Sequence, residues 1–392
     1  MSQTPAKRVA AALIVALGFL LVGAAYWEIV PPKGAGGGGD YIGYWAAGVQ
    51  LAHHQNPYDE ATVLTIERAE GFEQHQPSIS PSPPAAWSLL LPLGYLSAKA
   101  GLVGWVMLQL ACIALAMRLL WRLHGKPQTL IYLFGFIFPP VIVCLIGGQI
   151  GIFLLMSVTL FFYLLDRQPF LAGAALLPCA LKPHLLLAFF VVLALWSLHR
   201  RSFMPLAGFC TALLASAAVV LWFDPRIWPQ YFAMWRTGTV RDRVTPTLSV
   251  ALRFLIDRSA NWIEFVPALA ACGWAAWFYW TRRAQWQWLD HGLIVLLVAL
   301  MCAPYAWFTD ESVALAAVMT AAIRARASLK LLLPVILVVG VALVEVSRAV
   351  DIKHDGYIWT TPAWLACLLC ARRLQQGQPA TAIPSDAVNV KQ

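Results

Sequence analysis

Asp40 stands directly behind the flexible run GAGGGG at 34–39 and opens Asp40-Tyr41-Ile42-Gly43-Tyr44-Trp45-Ala46-Ala47-Gly48. Aromatic and small residues at helical spacing predict a short interfacial helix over about 41–54, and a carboxylate at its start either caps the helix or takes a proton from a substrate. Lys182-Pro183-His184 separates two short apolar runs. A lysine inside a bilayer costs about 2.5–3.5 kcal/mol on insertion scales. Beside a proline-broken helix it supplies a point charge to an anion such as a phosphate, with snorkelling from a span end as the alternative. Gly148-Gln149-Ile150-Gly151 reads as a tight turn whose Gln149 can hydrogen-bond a sugar or a head group. Asp310 and Glu311 follow Pro304-Tyr305-Ala306-Trp307, where they cap the next helix or act on a substrate. His53, His54 and His75 share one loop without metal-ligand spacing. Arg226, Arg236, Arg241, Arg243, Arg253 and Arg258 are interleaved with Trp228, Tyr231 and Trp235. That cluster suits lipid phosphates or forms a solvated loop.

The elements that hold these residues must sit in a membrane. The 392 residues are 60% hydrophobic and 12% charged, about half the charge of an ordinary soluble chain at about 25%. A cytosolic enzyme, a disordered chain and a secreted disulfide scaffold are excluded. A spanning helix takes about 20 apolar residues, so twelve use about 240 and leave about 150 for loops. The predicted fold is an all-α polytopic bundle of about twelve transmembrane helices. The net charge of +9 reads as Lys and Arg at cytoplasmic ends, not as a nucleic-acid surface, since no base-reading motif or long basic tract accompanies it. The eight cysteines fall almost entirely in apolar runs, and the Cys367–Cys370 pair lacks flanking ligands, so all are assigned to packing.

Charge asymmetry sets the topology. Residues 1–8 are cytoplasmic, one transmembrane domain covers 9–371, and a disordered cytoplasmic tail covers 372–392. After the first span at 9–30, a long external loop at 31–100 carries the interfacial helix and a re-entrant or interfacial piece at 85–96. Later spans are expected at 102–121, 130–147, 150–165, 170–181, 184–198, 203–222, 262–281, 289–307, 311–324, 329–347 and 357–371, with a second external loop at 223–261. Arg167, Arg200, Arg201, Arg282, Arg283, Arg324, Arg326, Arg372 and Arg373 then face inward, while Gly147–Gly151, Lys182 and Asp310 face outward. The shortness of the spans between 150 and 198 predicts broken helices meeting at a cavity.

In order, Asp40 with Tyr44-Trp45-Ala46-Ala47-Gly48, Asn56-Pro57-Tyr58-Asp59, Ser82-Pro83-Pro84 before Leu91-Pro92-Leu93, Gly148-Gln149, Lys182-Pro183, and Pro304-Tyr305-Ala306-Trp307 with Asp310 resemble glycosyltransferase family 87. This is a branch of the GT-C superfamily of integral-membrane transferases that use polyprenyl-phosphate sugars, and the resemblance runs over about residues 9–325. It implies a multi-span helical fold whose first external loop carries the catalytic aspartate, here Asp40. Mannosyltransferases of the family that build phosphatidylinositol mannosides tend to have histidines after the P-x-x-W motif; this chain has Thr309 and Asp310 there.

The resemblance implies an inverting transfer of a hexose or pentose, mannose among the candidates, from a polyprenyl-phosphate donor to a lipid or glycan acceptor. The reaction is expected at the outer, periplasmic face of the cytoplasmic membrane. Asp40 is then the general base. Lys182, with Arg241 and Arg243, offsets charge on the donor phosphate. Tyr44, Gln149, His184, Trp307 and Asp310 orient the substrates, and the 77–96 segment with the 41–54 helix walls the lipid groove. No cofactor is expected, and no DxD-type pair points to a divalent metal. The partners are the donor, the acceptor and membrane lipids, with no nucleic acid. A flippase for lipid-linked sugars is the competing class; it should show polar residues through the inner half and inverted repeats, and neither is evident. A non-catalytic assembly partner is the third class, in which changing Asp40 is harmless.

Overall fold

The computed structural model describes residues 5–31, 38–237, 245, 247–324 and 357–376. Every regular element among them is helical. Arg241, Arg243, Arg326, the span expected at 329–347 and most of the C-terminal tail lie outside the described residues.

Among the described residues three helical stretches are long and apolar enough to cross a bilayer: Ala98–Leu123, Pro183–Arg200 and Met204–Phe223. In α4 (Ala98–Leu123), following α1 (Pro5–Ile29), α2 (Tyr41–Ala52) and α3 (Glu60–Ala69), the Ser97 hydroxyl caps the start by accepting from Ala100 N–H at 3.3 Å. The helix stops at His124 and Gly125, the latter at φ +80°. Among the described residues several of the expected spans are broken, including part of the 150–198 stretch where breaks were expected. The run expected at 130–147 divides into a 3-10 turn, Ile131–Phe136, and α5 (Pro139–Ile146), because Pro139 and Pro140 lack N–H donors and fit only the first turn of a helix. α6 (Gly151–Leu164) is whole, but 169–186 breaks into α7 (Pro169–Ala174) and the 3-10 turns Leu177–Leu181 and Pro183–Leu186, with Lys182 between the turns at φ −136°, ψ 64°. α8 (Leu187–Arg200) and α9 (Met204–Phe223) follow. Residues 84–95 form two 3-10 turns, Pro84–Leu89 and Leu91–Tyr95, each too short to cross.

α10 (Ile227–Thr237) and α11 (Leu248–Ile256) lead into α12 (Phe265–Arg282). α13 (Leu293–Met301), entered through a π-helical turn at Trp288–Gly292, is the central strut: Leu293 to Leu300 are all buried. A helix apolar on every side belongs inside a bundle. α14 (Leu315–Arg324) and α15 (Thr360–Gln376) pack against each other, and α13 contacts both. The outward faces of α1 and α9 expose Leu20, Leu21, Leu214 and Trp222. Surfaces so rich in large apolar side chains fit lipid, not water.

The helix at 41–52 differs from the expected interfacial element. Tyr41 to Gly48, Gln50 and Leu51 are all buried, so α2 is a core helix with no broad exposed face. The Tyr41 hydroxyl donates to Ala98 O and the Trp45 indole to Leu96 O, both at 3.0 Å, fastening it beneath the start of α4. All eight cysteines are unpaired.

Candidate active site

Two loops interlock to place Asp40. Gly39 and Gly148 hold φ of +61° and +62°, which L side chains rarely adopt. A Cβ on Gly39 would strike the Gly147 carbonyl, and one on Gly148 would strike Gly38 and Tyr41. That close approach lets Asp40 N–H donate to Gly147 O at 2.9 Å. Asp40 occupies the N-cap position of α2, yet its side chain makes no capping bond. Instead its carboxylate accepts from Gln149 Nε2. The side chain thus meets the Gln149 amide and not the first turn of α2.

Gln149 joins four residues into one network. Its Oε1 accepts from the Tyr44 hydroxyl at 3.1 Å and from Lys182 Nζ at 3.2 Å. With Nε2 on Asp40 and Oε1 on two donors, the amide orientation is dictated by its partners. Lys182 Nζ lies 2.7 Å from Asp310 Oδ1, and both side chains are buried, at 6% and 0% exposure. Asp310 Oδ2 accepts from Trp307 N–H at 3.0 Å, and Asp310 N–H donates back to Trp307 O at 2.9 Å. Burial works against the Lys182 charge, but the Asp310 carboxylate outweighs it and holds the ammonium above the ordinary lysine range. Lys182 is thus a charge already paired within the protein. Two of its three N–H donors go to Gln149 and Asp310. Burial pushes the Tyr44 phenol well above its usual range, so it remains a donor.

Two spaces meet at this network. A small polar cavity, with room for about one water molecule, is walled by Asp40, Tyr44, Gln149, Lys182, Tyr305, Trp307 and the strap Ser78–Ser82. A larger groove runs from the same Asp40, Gln149 and Trp307 past Val143, Ile146, Phe308 and Tyr357. The first is lined by polar groups, and the second is mostly apolar. Among the described residues no three His, Cys, Asp or Glu side chains come together to hold a metal ion.

The structure gathers Asp40, Tyr44, Gln149, Lys182, Trp307 and Asp310 into one site. His184 lines neither space; its ring stacks on Tyr305 at 4.2 Å, so it backs a cavity wall. Arg241 and Arg243 fall outside the described residues. Ser78–Ser82 wall the polar cavity, whereas the sequence suggested that 77–96 lines the lipid groove. Sequence reasoning missed what holds this strap. Glu67 is fully buried, and its two oxygens accept from Ser78 N–H at 3.1 and 3.2 Å. Ser82 O accepts from the Tyr58 hydroxyl at 3.0 Å and the Trp87 indole at 2.9 Å. Burial pushes the Glu67 carboxyl up to about 7, and nearby Asp40 adds to the shift. Its signal was available: Glu67 follows the buried Val63 by four residues on one helix face.

Glu311 is built differently from its neighbour. It accepts from the Thr360 hydroxyl at 2.6 Å, the Thr361 hydroxyl at 2.9 Å and the Trp364 indole at 2.7 Å, clasping α15 to the loop that carries Asp310. Phe308 stacks on Tyr357 at 4.1 Å and closes the groove beside it.

Compared with known protein families, residues 82–324 match the model of glycosyltransferase family 87. No curated protein and no solved structure matches the chain. The matched stretch includes Gln149, Lys182, Trp307 and Asp310; Asp40 and Tyr44 precede it and join the site through their bonds to Gln149.

Proposed function

The chain belongs to glycosyltransferase family 87, and from that membership we propose that it transfers a hexose or pentose from a polyprenyl-phosphate donor to a lipid or glycan acceptor at the outer face of the cytoplasmic membrane. The observation that carries this reading is the position of Asp40 where the polar cavity meets the apolar groove. A lipid-linked sugar has the same two parts, joined at the bond to be broken.

In this reading the sugar lies beside Asp40 and Trp307, where the polar cavity opens into the groove, and the isoprenoid follows Val143, Ile146 and Phe308. Asp40 takes the proton of the acceptor hydroxyl as its oxygen attacks the anomeric carbon. The bond from that carbon to the phosphate oxygen breaks, and the phosphate departs with the electron pair. The configuration inverts in this single displacement. A positioned base contributes about 10²- to 10⁴-fold. Gln149 orients the Asp40 carboxylate, and the remaining Lys182 N–H meets the departing phosphate, with Asp310 fixing the ammonium in place. Holding two substrates in line adds several kcal/mol of rate advantage, and the rigid junction of two glycine loops supports that alignment.

The test is product stereochemistry. Purified protein in proteoliposomes is offered polyprenyl-phosphate sugars of defined anomeric configuration with a membrane-lipid extract, and the product linkage is read by NMR. A product of opposite anomeric configuration supports single displacement with Asp40 as base. Retained configuration overturns that mechanism, and movement of the donor between leaflets without transfer favours the flippase class.

A further inference from the structure

The end of the bundle opposite the site is basic, and it contains a groove the transfer reaction does not use. α15 starts at Thr360, on Glu311 beside the site, and ends past Arg372 and Arg373. α14 ends at Arg324 and α12 at Arg282. Arg324 and Arg372 share one carboxylate, Asp290, at 2.8 and 2.9 Å. α8 ends at Arg200, and His199 lies 6.3 Å from Tyr279 of α12, which brings the Arg200 end to the same face.

Between α12, α13 and α15 a groove opens at this end. Its walls are three matching stripes. Trp274 and Phe278 precede Arg282 on α12 at intervals of four residues, Leu365 and Leu369 precede Arg372 and Arg373 on α15, and Ile294 and Val298 lie between them on α13. At 1.5 Å per residue the stripe from Trp274 to Arg282 is about 12 Å long. The groove is therefore apolar along its length and cationic at one end only. Of the rim residues Arg282, Arg372 and Arg373, only Arg372 has a carboxylate partner among the described residues. Arg282 lies over the Phe278 ring at 4.2 Å and donates to Thr281 Oγ1 at 3.1 Å. Arg373 is exposed.

We propose that this groove is a binding site for an anionic phospholipid of the cytoplasmic leaflet, with its phosphate between Arg282 and Arg373 and an acyl chain along the three stripes. Guanidinium groups match phosphate oxygens with paired N–H donors, and basic pockets between helices on the cytoplasmic side of a membrane are where anionic head groups bind. A free phosphate would leave the apolar walls unused, and a zwitterionic lipid would bring a second cation to the arginines. The occupant links α12, α13 and α15, and α15 is the helix that grips Glu311.

Native mass spectrometry of the full-length protein, titrated with dioleoyl phosphatidylglycerol or dioleoyl phosphatidylcholine, tests the site. Phosphatidylglycerol should be retained preferentially. The double variant Arg282→Gln/Arg373→Gln should weaken that retention by about fivefold per arginine, while Arg118→Gln/Arg167→Gln, an equal loss of charge elsewhere, changes it by less than about twofold. Equal weakening by both pairs, equal retention of phosphatidylcholine, or displacement by inorganic phosphate at concentrations comparable to the lipid overturns the proposal. So does displacement by a polyprenyl phosphate at lower concentration than phosphatidylglycerol. A second measurement needs no variant: photoreactive phosphatidylglycerol bound to the wild-type protein should crosslink within 274–298 or 365–373, and crosslinks confined to other segments overturn the assignment. Sugar transfer is not part of either readout, so this site stands or falls independently of the catalytic reading.

Discussion

Removing one member of the Lys182–Asp310 pair should destabilise the protein far more than removing both. At 2.7 Å the Coulomb attraction is about 6 kcal/mol for an effective dielectric near 20. Desolvation of two buried ions offsets part of it, but a lone buried charge keeps its desolvation cost without the attraction, about 3–5 kcal/mol. Among the described residues Lys182→Met leaves the Asp310 carboxylate on the Trp307 N–H, and Asp310→Asn removes the paired carboxylate of the Lys182 ammonium. The double variant Lys182→Met/Asp310→Asn removes both charges and keeps an acceptor for Trp307. Thermal and denaturant unfolding in one detergent should give single losses of about 3–5 kcal/mol and a coupling of about 3 kcal/mol between the sites. Transfer by the double variant then isolates the chemistry: with folding restored, activity should remain low because no ammonium meets the phosphate. Stability losses that add within about 0.5 kcal/mol would refute the buried pair. A stable double variant with wild-type transfer would refute the role of Lys182 toward the phosphate.

Gly39→Ala and Gly148→Ala should each abolish transfer and lower the unfolding temperature, since each needs a positive φ and forces a Cβ into backbone; Gly104→Ala, with nothing within 4 Å, should do neither. Burial holds the Glu67 carboxyl up at about 7 in the fold, above its ordinary value near 4.5, so it ionises at lower pH in the unfolded chain. The stabilising contribution is complete below about 4.5 and is lost as pH rises to about 7; unfolding temperature should fall over that window in the wild type and fall less in Glu67→Gln. Glu311→Ala strands the hydroxyls of Thr360 and Thr361 and the indole of Trp364, at about 1–3 kcal/mol for each buried donor that finds no water. Hydrogen exchange in 360–376 should rise in that variant, and unchanged exchange would show that the clasp does not hold α15.

Most of the site was legible because its residue types are costly in an apolar chain. Gln149, Lys182 and Asp310 each interrupt an apolar stretch, Asp40 stands between the glycine run and the apolar 41–52 helix, and Lys182 marks the helix break that Pro183 enforces. Their connectivity was not legible. The Lys182–Asp310 bond joins residues 128 apart and the Asp40–Gln149 bond residues 109 apart, and no local pattern encodes such pairings. The all-helical class followed from composition, and the short apolar runs between 150 and 198 signalled broken helices, but apolar runs do not show where prolines such as Pro139 and Pro140 turn other spans into 3-10 segments. The burial of α2 had a signal that was read too narrowly. Gln50 is its sole strongly polar side chain between Tyr41 and Ala52, which fits a core helix better than an amphipathic one. The place of the strap Ser78–Ser82 on the polar cavity was not legible, because Pro/Ser-rich loops carry no periodicity and its position depends on Glu67, Tyr58 and Trp87.

The most direct measurement is sugar transfer in proteoliposomes by the wild type and by Asp40→Asn, matched for unfolding temperature, with a panel of polyprenyl-phosphate sugars and a membrane-lipid extract. The near-isosteric change keeps the contact with Gln149 within reach and removes the base. Transfer from at least one donor by the wild type, reduced about 10²- to 10⁴-fold in the variant, is the predicted result. Equal transfer by the two proteins would contradict the assignment of Asp40 as the base.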